Sequence, residues 1–134
     1  MSESREAFER LCGAATTGEL GVLCRRFGVT LLVVFGSAVR PDGTPRDLDI
    51  AVRFSNHSDV LGFLDQVGAL AGTMRVDLMN LDRAGPVARE QALVGGVALF
   101  EEPVGAFARE QMAAITERMD TDWLRRLELE QLAR

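Results

Sequence analysis

The apolar residues of this chain follow two spacings in alternation, one typical of helices and one typical of strands. Helical spacing predicts helices over residues 4–12, 17–27, 57–71 and 86–93. Short apolar or β-branched runs predict strands over residues 30–35, 47–53, 74–81 and 97–100. Strands that alternate with helices predict an α/β (or α+β) fold with a small mixed sheet, contained in one domain over residues 1–134.

Residues 104–134 form a helical segment, either one long helix or two that abut at residues 120–122, where Asp and Thr disfavour a helix interior. Its apolar residues share one face: Phe107, Met112, Ile115, Met119, Trp123 and Leu127. Packing of this stripe against the core is the favoured interpretation, and docking of a partner protein is the alternative.

Composition narrows the functional classes. The net charge is −5, so nucleic-acid binding is not expected, because it usually needs a basic face. All 15 basic residues are Arg, and without Lys neither a Walker P-loop nor Schiff-base chemistry is available. The chain has two cysteines without a zinc-binding spacing, a charged N-terminus and only short apolar runs. These features predict a soluble, cytoplasmic protein with no membrane segment.

Two aspartates begin the second predicted strand. Because side chains alternate along a strand, Asp47 and Asp49 project to one face while Leu48 and Ile50 point to the other. Two carboxylates on one rigid face suit Mg²⁺, which takes a few protein oxygens and completes its shell with substrate phosphates. A solvated strand face carrying two incidental acids is the alternative.

Two further features fit the same chemistry. Gly36-Ser37 follows a buried strand, where glycine admits a phosphate close to the backbone and serine donates hydrogen bonds to it; an ordinary tight turn is the alternative. Asp77 lies inside the third, apolar strand, either as a third metal-linked carboxylate and base or as the ion-pair partner of Arg75 or Arg53. A phosphate cradle, a divalent ion and a base are the needs of phosphoryl-type transfer.

The segment FGSAVRPDGTPRDLDIAV, followed by MRVDLMNL and GGVALFEE, resembles the DNA polymerase β superfamily of nucleotidyltransferases, and most of all its minimal nucleotidyltransferases, or MNT proteins. The resemblance covers residues 27–101, the expected catalytic core, and implies the nucleotidyltransferase fold with helices mainly on one face of the sheet. Nine residues separate Ser37 from Asp47, one fewer than is common in the family.

The resemblance implies a role for six residues. Gly36, Ser37 and Arg40 match positions that hold the nucleoside triphosphate, and Asp47, Asp49 and Asp77 match the metal-binding and catalytic carboxylates. One or two Mg²⁺ ions are the implied cofactor and ATP the implied substrate.

The resemblance also implies a partner, because MNT proteins of this size often act as antitoxins that transfer AMP to a tyrosine of a HEPN toxin. This chain has no Tyr, so a tyrosine acceptor has to lie on another molecule. Two alternatives stay open: an antitoxin that neutralises its partner by binding alone, and an aminoglycoside-like enzyme for small molecules. The sequence does not distinguish a homo-oligomer from a hetero-oligomer.

Overall fold

The computed structural model describes residues 3–40, 47–56 and 59–133. Its elements follow in the order α1 (Glu3–Thr17), α2 (Glu19–Arg26), β1 (Val29–Phe35), a 3₁₀ turn (Gly36–Ala38), β2 (Leu48–Phe54), α3 (Val60–Ala71), β3 (Val76–Asn80), α4 (Pro86–Val94), β4 (Val97–Glu101) and α5 (Ala106–Leu132). Every strand predicted from the sequence is present within two residues of its expected bounds. Pro41, Asp42-Gly43 and Pro45, a cluster of residues typical of a turn, lie outside the described residues, as do the first two residues of the helix predicted from residue 57.

The four strands form one mixed sheet in the order β3-β2-β1-β4. Strand β1 pairs antiparallel with β2 and β4, whereas β2 and β3 run parallel and are joined through α3. As a result β1 ends at the edge of the sheet where β2 and β3 begin. The chain segments that follow β1 and precede β2 and β3 therefore meet at one end of the sheet.

Side chains that alternate along the strands fill two cores, one on each face of the sheet. The first core takes Leu32, Val34, Leu48, Ile50 and Val52 from the strands and lies under α1, α2 and α3. The second core lies under α4 and α5 and is built from these buried residues: Leu31, Val33, Ala51, Leu81, Ala92, Leu93 and Ala114. The α/β class with a small mixed sheet is confirmed, although helices cover both faces, three on one and two on the other.

Helix boundaries differ from the prediction where glycine or solvent decides them. Helix α1 runs on to Thr17, and Gly18, with a φ of 93° in the left-handed region, separates it from α2. Gly28 follows α2 with a φ of 72°, a left-handed conformation that is typical of a glycine at the end of a helix. Helix α5 is continuous through residues 120–122, where Arg118 donates to Asp122 at 2.5 Å and the Thr121 hydroxyl donates to the Glu117 carbonyl.

The expectation that the apolar stripe of α5 packs into the core is wrong for most of its members. Met112, Met119 and Trp123 expose 63%, 66% and 61% of their surface, and the helix buries only Ala114 among its described residues. Phe107 at its first turn does contact the second core. The residues of the predicted stripe are therefore not buried together, because Phe107 turns towards the core whereas Met112, Met119 and Trp123 lie towards solvent. Among the described helices none is long and apolar enough to cross a membrane.

Candidate active site at the end of the sheet

The candidate residues converge because strand register aligns them. Phe35, the last residue of β1, is paired with Asp49 on β2, and Asp49 is paired in turn with Asp77 on β3. Neighbouring strands lie roughly 4.8 Å apart, and residues in register point to the same face, so the carboxyl groups of Asp49 and Asp77 lie side by side. Gly36 follows Phe35 directly and completes the group.

Gly36 is a glycine for two physical reasons. Its φ of 78° lies in the left-handed region, which side chains other than glycine adopt at a cost. A Cβ placed on it would lie only 2.5 Å from Oδ2 of Asp49, so the carboxylate rests directly against the Gly36 backbone. A side chain at position 36 would therefore strain the turn after β1 and push the Asp49 carboxylate out of its present position.

Asp49 is the carboxylate whose ionisation the site opposes. Burial raises the pKa of Asp49 above its usual range, and the nearby negative charges of Asp77 and Asp47 raise it further. The positive charge of Arg40 partly offsets these effects by lowering the same pKa. Such a carboxylate gains from a cation, because a positive charge relieves the repulsion from its neighbours.

The other two aspartates lie in more open positions. Asp47 precedes β2 and its Oδ1 lies 3.4 Å from Nε of Arg75, with both side chains about half exposed. Asp77 is exposed because β3 is an edge strand, which corrects the expectation of a carboxylate inside a buried strand. Arg75 pairs with Asp47, and Arg53 pairs with Asp82 and Glu110, so no described ion pair joins Asp77 to either arginine.

The three aspartates are neighbours without being assembled as a set of ligands. Among residues 3–40, 47–56 and 59–133, no group of three acidic, histidine or cysteine side chains is already gathered closely enough to hold a metal ion. In this arrangement the Asp47 carboxylate contacts Arg75, the residue just before β3, and not a cation.

Ser37 lies in the turn after β1, and Arg40 follows that turn. Ser37 is half-buried within the 3₁₀ turn, and its carbonyl accepts a hydrogen bond from the Arg40 amide at 3.3 Å. Arg5 on α1 donates to the Arg40 carbonyl at 2.7 Å, which ties the end of the turn to the first helix. The Arg40 side chain is exposed and faces the same cavity as Asp49.

That cavity has a volume of about 560 Å³ and opens between the sheet and α4. Gly36, Arg40 and Asp49 line one side. The remaining lining residues could not be assigned to a site from the sequence: Phe35, Met79, Ala88, Gln91 and Gly95. The helix spacing of Ala88 and Gln91 was visible in the sequence, but nothing in the sequence indicated that this face of α4 turns towards Asp49.

The arrangement is able to bind a polyanion together with a cation. Clustered carboxylates with hard oxygen atoms favour a divalent ion, and a glycine turn with an adjacent serine offers donors to phosphate oxygens. The cavity beside them leaves room for the rest of an organic ligand, since binding sites for small molecules usually measure about 300–1,000 Å³.

Comparisons with known proteins address the fold and the family of the chain. No functionally curated protein matches the chain in sequence. Among solved structures, a chain of a toxin–antitoxin complex with AMP-PNP superposes with a TM-score of 0.66 at 19% identity, over 87% of this chain and 98% of that one. A chain of the MntA-HepT toxin-antitoxin structure gives 0.61 at 18% identity, over 87% and 96%.

A third structure contains tri-AMPylated Shewanella oneidensis HEPN toxin in complex with MNT antitoxin, and its matching chain gives a TM-score of 0.61 at 19% identity, over 87% and 95%. These likenesses establish a shared fold. The family model described as polymerase beta, nucleotidyltransferase matches residues 21–103, which include α4, all four strands and all six candidate site residues. Because that match spans more than half of this chain, the chain belongs to the polymerase β-type nucleotidyltransferase family.

Proposed function

We propose that this chain is a magnesium-dependent nucleotidyltransferase that transfers AMP from ATP to a tyrosine hydroxyl of a HEPN toxin and so acts as its antitoxin. The observation that carries the proposal is the register pairing of Asp49 with Asp77 directly beside Gly36. Family membership supports nucleotidyl transfer. Structures of similar fold contain AMP-PNP or an AMPylated HEPN toxin, which supports the nucleotide and the acceptor.

The donor set fits Mg²⁺. Asp47, Asp49 and Asp77 supply hard oxygen atoms, and the raised pKa of Asp49 indicates uncompensated negative charge at the point where a cation would bind. These three carboxylates would hold the ion, and bound Mg²⁺ would neutralise the charge that develops on the phosphates during transfer.

The residues of the chain have separate roles in the proposed reaction. The backbone at Gly36 and the hydroxyl of Ser37 donate to the triphosphate, and Arg40 adds positive charge beside it. Asp77 accepts the proton of the acceptor hydroxyl, and its exposure on the edge strand leaves it open to a large acceptor. The acceptor oxygen then forms a bond to the α-phosphorus while the bond from that phosphorus to pyrophosphate breaks.

The acceptor is a second molecule, because the chain contains no Tyr. An exposed third carboxylate and an open cavity agree with a protein acceptor that approaches from solvent. We place the reaction in the cytoplasm, where ATP and Mg²⁺ are abundant, and we assign it to a single domain over residues 1–134.

The test is transfer of label from ATP, radioactive at the α-phosphate, to a purified HEPN toxin with Mg²⁺ present. We expect the wild-type chain to label the toxin, and the double variant Asp47→Asn with Asp49→Asn to lose transfer by about a thousandfold or more, because the ion site is gone. Asp65→Asn, an exposed acid on α3, is the matched control and should label normally. Equal labelling by the wild type and the double variant would overturn the proposal.

A second candidate is neutralisation of the toxin by binding alone, which the exposed apolar residues of α5 favour. The same double variant separates the two functions. If it still neutralises the toxin fully while transferring no AMP, contact is sufficient and the enzymatic account of neutralisation fails. Loss of both activities in a folded protein supports neutralisation by AMP transfer.

A further inference from the structure

The cavity beside Asp49 has two chemically different sides. Gly36, Arg40 and Asp49 form a charged side suited to phosphates and a cation, and they belong to the proposed catalytic site. The rest of the described lining consists of Phe35 and Met79 from the sheet and Ala88, Gln91 and Gly95 in or just after α4, and in this part Gln91 supplies the only polar side chain. An apolar wall with one uncharged polar group is typical of sites that orient an organic ring.

The carboxamide of Gln91 is available to a ligand. Gln91 is exposed, and within the described chain no hydrogen bond engages its side-chain amide, although its main-chain carbonyl accepts from the Gly95 amide at 3.4 Å. A carboxamide carries both an acceptor oxygen and a donor NH₂ group. It can therefore form two hydrogen bonds with a neighbour that presents a donor beside an acceptor.

Helix α4 holds Gln91 on a rigid support. Ala92 and Leu93, which follow it, are completely buried in the second core. Arg89 on the same helix donates to the carbonyls of Leu81 and Ala84 and to the carboxylate of Glu117 on α5. A side chain that must select between ligands needs such a fixed backbone, because specificity depends on geometry held within a fraction of an ångström.

The path of the nucleotide follows from the positions of these groups. In the proposed reaction the phosphates lie at Gly36 and Ser37, and the reacting phosphorus lies between Asp49 and Asp77. The nucleoside attached to that phosphorus therefore extends away from the charged residues of the cavity. Met79 lies on the same face of β3 as Asp77, two residues further along, and offers an apolar surface next to it. The space towards α4 is thus the continuation of the phosphate site.

We propose that this space between α4 and the sheet takes the nucleoside, and that Gln91 recognises the base by hydrogen-bonding to its edge. The inference rests on the proposed nucleotidyltransferase function. The carboxamide matches adenine by accepting from the exocyclic amine and donating to the adjacent ring nitrogen. Rotated by half a turn, it also matches the carbonyl and ring N–H of guanine.

A carboxylate at this position would lose that symmetry. It only accepts hydrogen bonds, so it matches the two neighbouring N–H donors of guanine and leaves the ring nitrogen of adenine without a donor. Gln91→Glu therefore shifts the preference towards guanine, and Gln91→Leu removes the recognition of both bases. Added negative charge repels every triphosphate alike, so its effect cancels in the ratio of two affinities.

The experiment measures dissociation constants of AMP-PNP and GMP-PNP with Mg²⁺ for the full chain in the absence of any acceptor. For Gln91→Glu we expect the ratio of GMP-PNP affinity to AMP-PNP affinity to rise by roughly tenfold, since the carboxylate pairs with two N–H donors of guanine and leaves the ring nitrogen of adenine without a donor. For Gln91→Leu both affinities fall and the ratio stays within about twofold of the wild type. Gln66→Glu makes the same change on α3, on the opposite face of the sheet, and leaves the ratio unchanged.

An unchanged ratio in Gln91→Glu, with the wild type binding both analogues, would overturn the role of Gln91 and leave nucleotidyl transfer standing. Variants at Gln91 that alter only the KM for the protein acceptor would place the acceptor in the cavity and also overturn the inference. Failure of the wild-type chain to bind either analogue would overturn the proposed function itself, and this inference with it.

Discussion

The acidic end of the sheet and the long helix α5 each hold side chains in an unfavourable environment, but of opposite kinds: charge partly buried at the sheet, and apolar surface exposed on the helix. At the sheet end, the charge of Asp49 is partly withdrawn from water and lies beside two other carboxylates, held there by paired strands. On α5, large apolar side chains such as Met119 and Trp123 stand in water on a helix with few contacts near its end. The first arrangement is relieved by a cation and the second by apolar contact, so each region indicates a different type of ligand.

The two regions also differ in how rigidly they are built. Asp49 lies on a central strand, between Leu48 and Ile50 in the chain. Both of these residues are completely buried, so the core fixes the position of Asp49. From Trp123 to Ala133 every residue of α5 is exposed, and truncating a side chain there leaves no cavity. Substitutions at the sheet end should therefore change chemistry, and substitutions on α5 from Trp123 onward should change neither chemistry nor stability in the isolated protein.

The largest expected effect concerns stability and separates the core from α5. Phe63 is fully buried, and the centroid of its ring lies 5.6 Å from that of Phe27 and 5.9 Å from that of Phe54. Trp123, in contrast, is 61% exposed. Phe63→Ala should lower the free energy of unfolding by about 3–5 kcal/mol through loss of packing. Trp123→Ala should lower it by less than about 0.5 kcal/mol, as is usual at a surface position.

Urea unfolding followed by circular dichroism measures both values. A loss of several kcal/mol in Trp123→Ala would show that the stripe on α5 does contribute to the core, and the contrast drawn above would disappear.

The next effect concerns the glycine turn. Gly36→Ala should lower AMP transfer by roughly a hundredfold and the unfolding free energy by about 1–3 kcal/mol, because the added Cβ meets the Asp49 carboxylate and strains a left-handed residue. Gly13→Ala is the matched control, since nothing lies within 4 Å of its added Cβ. Within α1, that change should raise stability by about 0.5–1 kcal/mol.

Label transfer and thermal melts check both variants. Full activity in Gly36→Ala would mean that the turn and Asp49 do not cooperate in binding phosphate.

A smaller effect concerns the charge of Asp49. Because its pKa is raised in the folded state, its contribution to stability is fully present below the ordinary aspartate pKa of about 3.9 and is lost as pH rises through the raised value. Without divalent cations, Asp49→Asn should therefore melt at a higher temperature than the wild type at pH 7. The difference should vanish under acidic conditions.

Addition of Mg²⁺ at pH 7 should raise the melting temperature of the wild type and leave that of the Asp47→Asn, Asp49→Asn double variant nearly unchanged. A wild type that is more stable than Asp49→Asn at pH 7 without cations would contradict the repulsion of Asp49 by the charges of Asp77 and Asp47.

The smallest effect concerns the contact between Arg75 and Asp47. Removing Arg75 by substitution with Gln frees Asp47 for the ion and should lower the Mg²⁺ concentration for half-maximal activity. Both side chains are about half exposed, so the contact is worth at most about 1 kcal/mol and the shift at most roughly fivefold. A titration of activity against Mg²⁺ measures this shift, and a higher Mg²⁺ requirement in Arg75→Gln would show that Arg75 assists the site.

Local rules of the backbone explain what could be predicted. The alternation of side chains along a strand predicted that Asp49 and Leu48 point to opposite faces of the sheet, and a glycine at the end of a strand indicated the turn at Gly36. These features depend on neighbours in the chain. The exposure of Asp77 could not be predicted in this way, because whether β3 is central or at an edge depends on the order of strands in the finished sheet.

Contacts between distant segments explain the rest. Gln91 reaches the cavity only because α4 packs across the sheet, and the pairing of Asp47 with Arg75 joins residues separated by a whole helix. Periodicity likewise placed Met112 and Trp123 on one face of α5 without indicating what that face contacts.

The most direct test of the central claim is a crystal structure of the chain with Mn²⁺ and a non-hydrolysable ATP analogue, in which anomalous scattering locates the metal. The account predicts an ion bound jointly by Asp49 and Asp77, with Asp47 released from Arg75 and the triphosphate against Gly36 and Ser37. An analogue bound elsewhere, or a site where Asp47 stays on Arg75 and no ion touches Asp49, would contradict it.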